Sequence, residues 1–158
     1  MKYLYLYENF DNNRILYHGS YEKHNFETHG DIYDGTFFSI NMNEAKSYGK
    51  YLFEIKLKPS IKIFDIFNDK ECNKLMNTFG TLYDNYYDED DEKYNIETVQ
   101  QLQETSDSWN PLENTDGVLD WINDEYDGVL MLEGGTKTVL LFAPINEKIL
   151  YKKLIYER

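Results

Sequence analysis

Cysteine is almost missing from this chain. A single residue, Cys72, stands among 158, which excludes an intramolecular disulfide and reads as a reduced core thiol. Basic residues are scarce: 16 Lys and Arg face 29 Asp and Glu, for a net charge of −13. Proteins that bind nucleic acid normally present a basic face, so DNA and RNA are not expected as partners. No uninterrupted run of 18 apolar residues occurs, so no membrane partner is expected. The opening MKYLYLYENF lacks the apolar stretch and cleavage site of a signal peptide, and a cytoplasmic protein is expected. Phosphate-loop, dinucleotide-fingerprint and nucleophile-elbow motifs are missing too. His18, His24 and His29 have no Cys or carboxylate spacing around them that suits zinc, so no metal is expected.

What the chain does have is unevenly placed. Residues 1–63 carry 8 acidic and 8 basic side chains, residues 64–142 carry 19 and 4, and residues 143–158 carry 2 and 4. The acidity therefore belongs to the middle. Such a surface keeps a protein soluble, and it can also steer it to a basic protein target or imitate DNA. Aromatics make up 16% of the chain, with 15 Tyr, many of which must pack a ring while keeping the hydroxyl wet. The length suits one domain, 1–158, large enough to bury a core.

The pattern of elements is strands, then helices, then strands. Apolar runs or alternation mark strands at 2–7, 14–18, 36–40, 51–57 and 62–66. Asn41 with Glu44 makes a plausible helix start, with Ala45, Tyr48 and Leu52 at helical spacing. Asn68 with Glu71 starts a second helix, ended by Gly80. Six acidic residues within 84–92 predict an exposed, mobile loop over about 84–94. Helices are predicted over 96–104 and 116–125. Gly134-Gly135 then joins two apolar runs, 128–132 and 138–142, into a hairpin, and a tail strand follows at 148–156. This order predicts an α+β fold.

Four strings stand out in chain order: ILYHGS at 15–20, DGTFFS at 34–39, EAKSYGKYLFEIKL at 44–57 and DGVLMLEGGTKTVLLF at 127–142. Together they resemble the ADP-ribosyltransferase fold, in the His- and Tyr-using branch of diphtheria toxin and the poly-ADP-ribose polymerases. They are also similar to phage-encoded anti-CRISPR ADP-ribosyltransferases. The resemblance covers residues 14–57 and 126–150 and fails over the acidic middle. It implies split antiparallel sheets around an NAD cleft, with the helices inserted in the middle.

The resemblance also implies roles. His18 would hydrogen-bond the adenosine ribose of NAD, with Gly19 meeting the nicotinamide amide through its backbone and Ser20 beside it. A residue without a Cβ suits that close approach. Phe37, Phe38 and Ser39 would form the strand beside nicotinamide, and alternation puts Phe37 and Ser39 on one face and Phe38 on the other. Ser47 and Tyr48 follow, with the Tyr48 ring stacking on the electron-poor pyridinium. Polymerase-type members carry their catalytic acid where Thr138 stands here, so the catalytic carboxylate is placed at Glu133, with Asp127 and then Glu125 as fallbacks. Its task would be to stabilise an oxocarbenium-like ribose. Lys46 and Lys50 are candidates for the NAD pyrophosphate.

The expected function is mono-ADP-ribosylation of a protein target, in a phage or bacterial effector such as an anti-defence protein. A catalytically inactive acidic inhibitor or DNA mimic is the alternative. A toxin-type transferase acting on nucleic acid comes third, since the charge opposes it.

Overall fold

The structure, a computed structural model, describes residues 10–23, 26, 35–84 and 95–157. The strand expected at 2–7, most of the acidic loop, and His24 and His29 lie outside the described residues. The fold is α+β. Seven strands form one sheet: β1 (Leu16–Ser20), β2 (Gly35–Ser39), β3 (Tyr51–Leu57), β4 (Ile63–Asp65), β7 (Gly128–Glu133), β8 (Thr136–Phe142) and β9 (Ile149–Glu157). Their order is β4-β7-β8-β2-β1-β3-β9. Every neighbouring pair is antiparallel except β4 with β7. A small ladder, β5 (Leu82–Tyr83) with β6 (Asn95–Ile96), stands apart.

The strands expected to form split sheets lie instead in one sheet, whose narrowest junction is between β1 and β2. These strands share one register pair, Tyr17 with Ser39, whereas β1 shares five with β3 and β2 shares five with β8. A four-stranded half and a three-stranded half therefore meet at a single bridge, which keeps them in one sheet.

The hairpin of β7 and β8 is buried on both faces, which is why its strands read as unbroken apolar runs. Val129, Met131, Leu140 and Phe142 face a core built with Cys72, Leu75, Leu112 and Ile122 of the helices. Leu130, Val139 and Leu141 face the other core, with Phe38, Phe53 and Ile55. Gly134 and Gly135 both take positive φ, 56° and 78°, which a tight hairpin turn needs and which glycine supplies without strain.

Helix α1 (Met42–Lys46) follows β2. Helix α2 (Asp69–Phe79) starts at Asn68, whose side chain accepts from the Glu71 N–H, and ends at Gly80. Helices α3 (Val99–Glu104), α4 (Trp109–Asn114) and α5 (Val118–Glu125) complete the helical layer. Sequence periodicity did not reveal α4: its WNPLEN is too short to show a period. Ile96 belongs to β6 rather than to the helix expected over 96–104. Among the described residues β9 is the last strand of the sheet, and its exposed Lys152 and Lys153 discourage pairing with another chain.

Replacing Leu140 with Ala should cost about 2–5 kcal/mol of stability, because the hole opens in the middle of the sheet where repacking is poorest. Lys153→Ala on the edge should stay within about 0.5 kcal/mol. Urea denaturation of the two variants measures the difference.

Candidate functional site

The site is built where β1 ends and α1 docks on it. Asn41 starts α1 by accepting from the Asn43 and Glu44 N–H groups at 2.9 and 3.2 Å. The helix lasts only five residues and buries Ala45 alone. It stops before the face expected from Ala45, Tyr48 and Leu52 is complete, and Leu52 lies in β3 instead. The contact between α1 and β1 depends on glycine. A Cβ on Gly19 would collide with the Ala45 carbonyl and come within 3.3 Å of the Tyr48 Cβ, and one on Gly49 would collide with the Ser20 backbone. Two missing side chains thus let backbone meet backbone, and this sets Tyr48 beside Gly19.

A cavity of about 510 Å³ opens there. His18, Gly19 and Ser20 line it from β1, Phe37 and Ser39 from β2, and Tyr48, Glu133 and Thr138 from elsewhere. Sequence reasoning did not single out Tyr17, Tyr21, Gly35, Thr36 and Ala45, which also line it. Strand alternation around Phe37 was the signal that could have found Gly35, two residues before it.

Three residues grouped with the site from sequence do not line the cavity. Phe38 points to the opposite face, fully buried with Phe26 and Phe53. Ser47 is turned away on the surface, its hydroxyl donating to the Glu44 carbonyl at 2.7 Å. Asp127, the fallback acid, works as a staple. Its Oδ2 accepts from the Lys62 N–H at 2.9 Å and its Oδ1 lies 3.9 Å from the Lys148 Nζ, which itself donates to the Phe142 carbonyl. Lys46 and Lys50 stand over the rings of Tyr156 and Tyr51. No Lys or Arg lines the cavity among the described residues.

His18 is held in place. Its Nδ1 lies 2.8 Å from the Phe37 carbonyl oxygen, which can only accept, so Nδ1 carries the proton. The ring also meets Phe26 edge-on at 5.2 Å. Ser39 and Thr138 are register partners on β2 and β8, both buried, and place two hydroxyls side by side on the cavity wall. Ser39 Oγ accepts from the Asn41 N–H at 3.1 Å, joining the wall to the start of α1.

Negative charge gathers around Glu133. Burial pushes its carboxyl above the usual carboxylate range, and the carboxylates of Asp107 and Glu44 push it further. The Tyr48 phenol is raised by burial, then by Glu133 and Glu44, and its hydroxyl donates to Glu44 Oε1 at 3.4 Å. The arrangement offers an exposed aromatic face, a backbone approach without a Cβ, an oriented imidazole and a half-buried carboxylate around one space.

No protein-family model matches the chain, and no curated protein matches it. Among solved structures, one described as "Crystal structure of an anti-CRISPR protein" is similar, at 18% identity and a TM-score of 0.48, over 89% of this chain and 94% of that one. A likeness at that level assigns no function to this chain.

The raised proton affinity of Glu133 has a sign that can be tested. A carboxyl whose folded pKa lies above its unfolded value of 4.5 costs stability when ionised, and the cost is relieved as pH falls through the folded pKa. Glu133→Gln should therefore raise the melting temperature at about pH 7 and lose that advantage below about pH 4. Thermal melts of both proteins across that range check it.

Proposed function

We propose that the protein is a mono-ADP-ribosyltransferase that cleaves NAD at the nicotinamide–ribose bond and transfers ADP-ribose to a protein target, in the effector role expected from the sequence resemblance. One observation carries this reading: His18, Gly19, Phe37, Ser39, Tyr48 and Glu133, drawn from four distant parts of the chain, share one cavity.

In this reading the Tyr48 ring stacks on the nicotinamide, and its exposed face suits an electron-poor ring. Gly19 lets the amide reach the backbone, and the oriented His18 ring serves the adenosine ribose. The bond between ribose C1′ and the pyridinium nitrogen breaks, its electron pair leaving with neutral nicotinamide. Positive charge develops on the ribose, and ionised Glu133 at the 2′-hydroxyl stabilises it. The acceptor's nucleophile then bonds to C1′ and loses its proton. In this reading Asp127 does not serve as the acid, since it binds the Lys62 N–H and does not line the cavity.

A second reading has one observation behind it. With no Lys or Arg on the cavity wall among the described residues, the NAD pyrophosphate lacks a built cationic partner there. That favours a catalytically inactive acidic binding protein.

Nicotinamide release separates the two. Incubation with NAD and candidate proteins should release nicotinamide, and Glu133→Gln should slow release by about 10²–10³ while NAD affinity stays near wild type. Tyr48→Ala should weaken NAD binding by about 0.5–1.5 kcal/mol beyond its lost burial, measured by calorimetry. Wild-type protein that neither binds NAD nor releases nicotinamide would leave the binding reading in its place.

A further inference from the structure

The strand that delivers Glu133 is poorly supported by its own sheet. β4 pairs with β7 only from Gly128 to Leu130, and the last contact on that side is the Ile66 N–H to the Leu130 carbonyl at 3.3 Å. From Met131 onward, β7 has β8 on one side and, among the described residues, no sheet partner on the other.

The segment between α3 and α4, residues 105–108, takes that place. Ser108 Oγ accepts from the Leu132 N–H at 2.7 Å and donates to the Leu132 carbonyl at 3.3 Å. One hydroxyl thus satisfies both backbone groups of the residue just before Glu133. Ser108 is fully buried and stands at the N-cap position of α4, yet its side chain makes no cap hydrogen bond; the hydroxyl is committed to β7. Two residues earlier, the Ser106 carbonyl accepts from the Gly135 N–H at 2.7 Å, which holds the turn that follows Glu133. Between these two anchors lies Asp107. Its Oδ2 accepts from the Asn110 side chain at 3.3 Å, and its buried Oδ1 has no hydrogen-bond partner among the described residues.

We propose that residues 105–108 are a positioning clamp for Glu133, in which Ser108 and Ser106 fix the strand end and turn that carry it and Asp107 keeps a second carboxylate beside it. The clamp rests on the reading of Glu133 as the acid of the proposed transfer, but its physical effects exist whether or not the reaction occurs. The charged and titratable groups that act on Glu133 are Asp107 from the clamp and Glu44 from α1. Tyr48 and His18 share the cavity with it, and Asp84 acts on Asp107 in turn. The Asp107 carboxyl is itself raised, by burial and then by Asp84. Its negative charge makes Glu133 hold its proton more tightly, so removing that charge lowers the pH at which Glu133 ionises.

Two variants test this. Asp107→Asn keeps the shape and removes the charge. Its Glu133 carboxyl, followed by NMR titration, should ionise at lower pH than in wild type, and the acid limb of nicotinamide release should move down with it. Ser108→Ala removes the anchor and should lower kcat for nicotinamide release by about tenfold or more with KM for NAD little changed, because the misplaced group acts mainly in the transition state. An unchanged Glu133 titration in Asp107→Asn overturns the electrostatic half, and a wild-type kcat in Ser108→Ala overturns the anchoring half. If Ser108→Ala does not fold, hydrogen exchange at the Gly135 amide in Asp107→Asn and wild type reads the anchoring instead: protection in both supports the clamp and fast exchange overturns it. If wild type releases no nicotinamide, the proposed reaction fails, while titration and exchange still decide the clamp.

Discussion

The structure turns on the bridge between Tyr17 and Ser39. Among the described residues it is the one register pair joining β1 to β2, and it holds the two halves of the sheet together while letting them diverge on one side. A continuous ladder there would close the sheet and leave no cavity. A missing bridge would separate the halves and the residues that face each other across it. The double-sided burial of β7 and β8 makes this tolerable. That hairpin anchors both hydrophobic cores, so stability does not depend on the ladder at the split.

Around the bridge, the wall is made by close approach. Gly19 and Gly49 let α1 touch the end of β1 backbone to backbone, and so a helix of five residues holds a firm position with one buried side chain. A helix that short has little stability of its own, since most helical stability comes from packing. Its place comes from the Asn41 cap and from the two glycines, and Tyr48 inherits that place.

The same region carries an electrostatic load. Burial raises Glu133 and the charges of Asp107 and Glu44 raise it further, with no cationic side chain on the cavity wall among the described residues. Structures accept such crowding where a site needs charge held ready in a partly dry place, at some expense to stability. Asp127 shows the opposite arrangement. It is an acid of the same segment, but with a lysine and a backbone N–H to satisfy it, and its work is structural.

Local chemistry alone determined much of this protein. Asn41 and Asn68 started their helices, YLFEIKL formed the strand Tyr51–Leu57, and Gly134-Gly135 made the turn of the terminal hairpin, each because capping, alternation and positive φ act within a few residues. The alternation that put Phe37 and Ser39 on one face and Phe38 on the other held, because strand periodicity is also local. Which of these residues would share a cavity was not written in any short window. Asp127 and Glu133 look alike in sequence, and only the packing of Lys148 and the end of β4 makes one a staple and the other a cavity wall. Ser108 stands at the N-cap position of α4, and its hydroxyl anchors β7 instead because β4 stops at Asp65 and does not reach Leu132. Tertiary structure decided these roles because each depends on a partner 21 or more residues away, brought near only when the sheet forms.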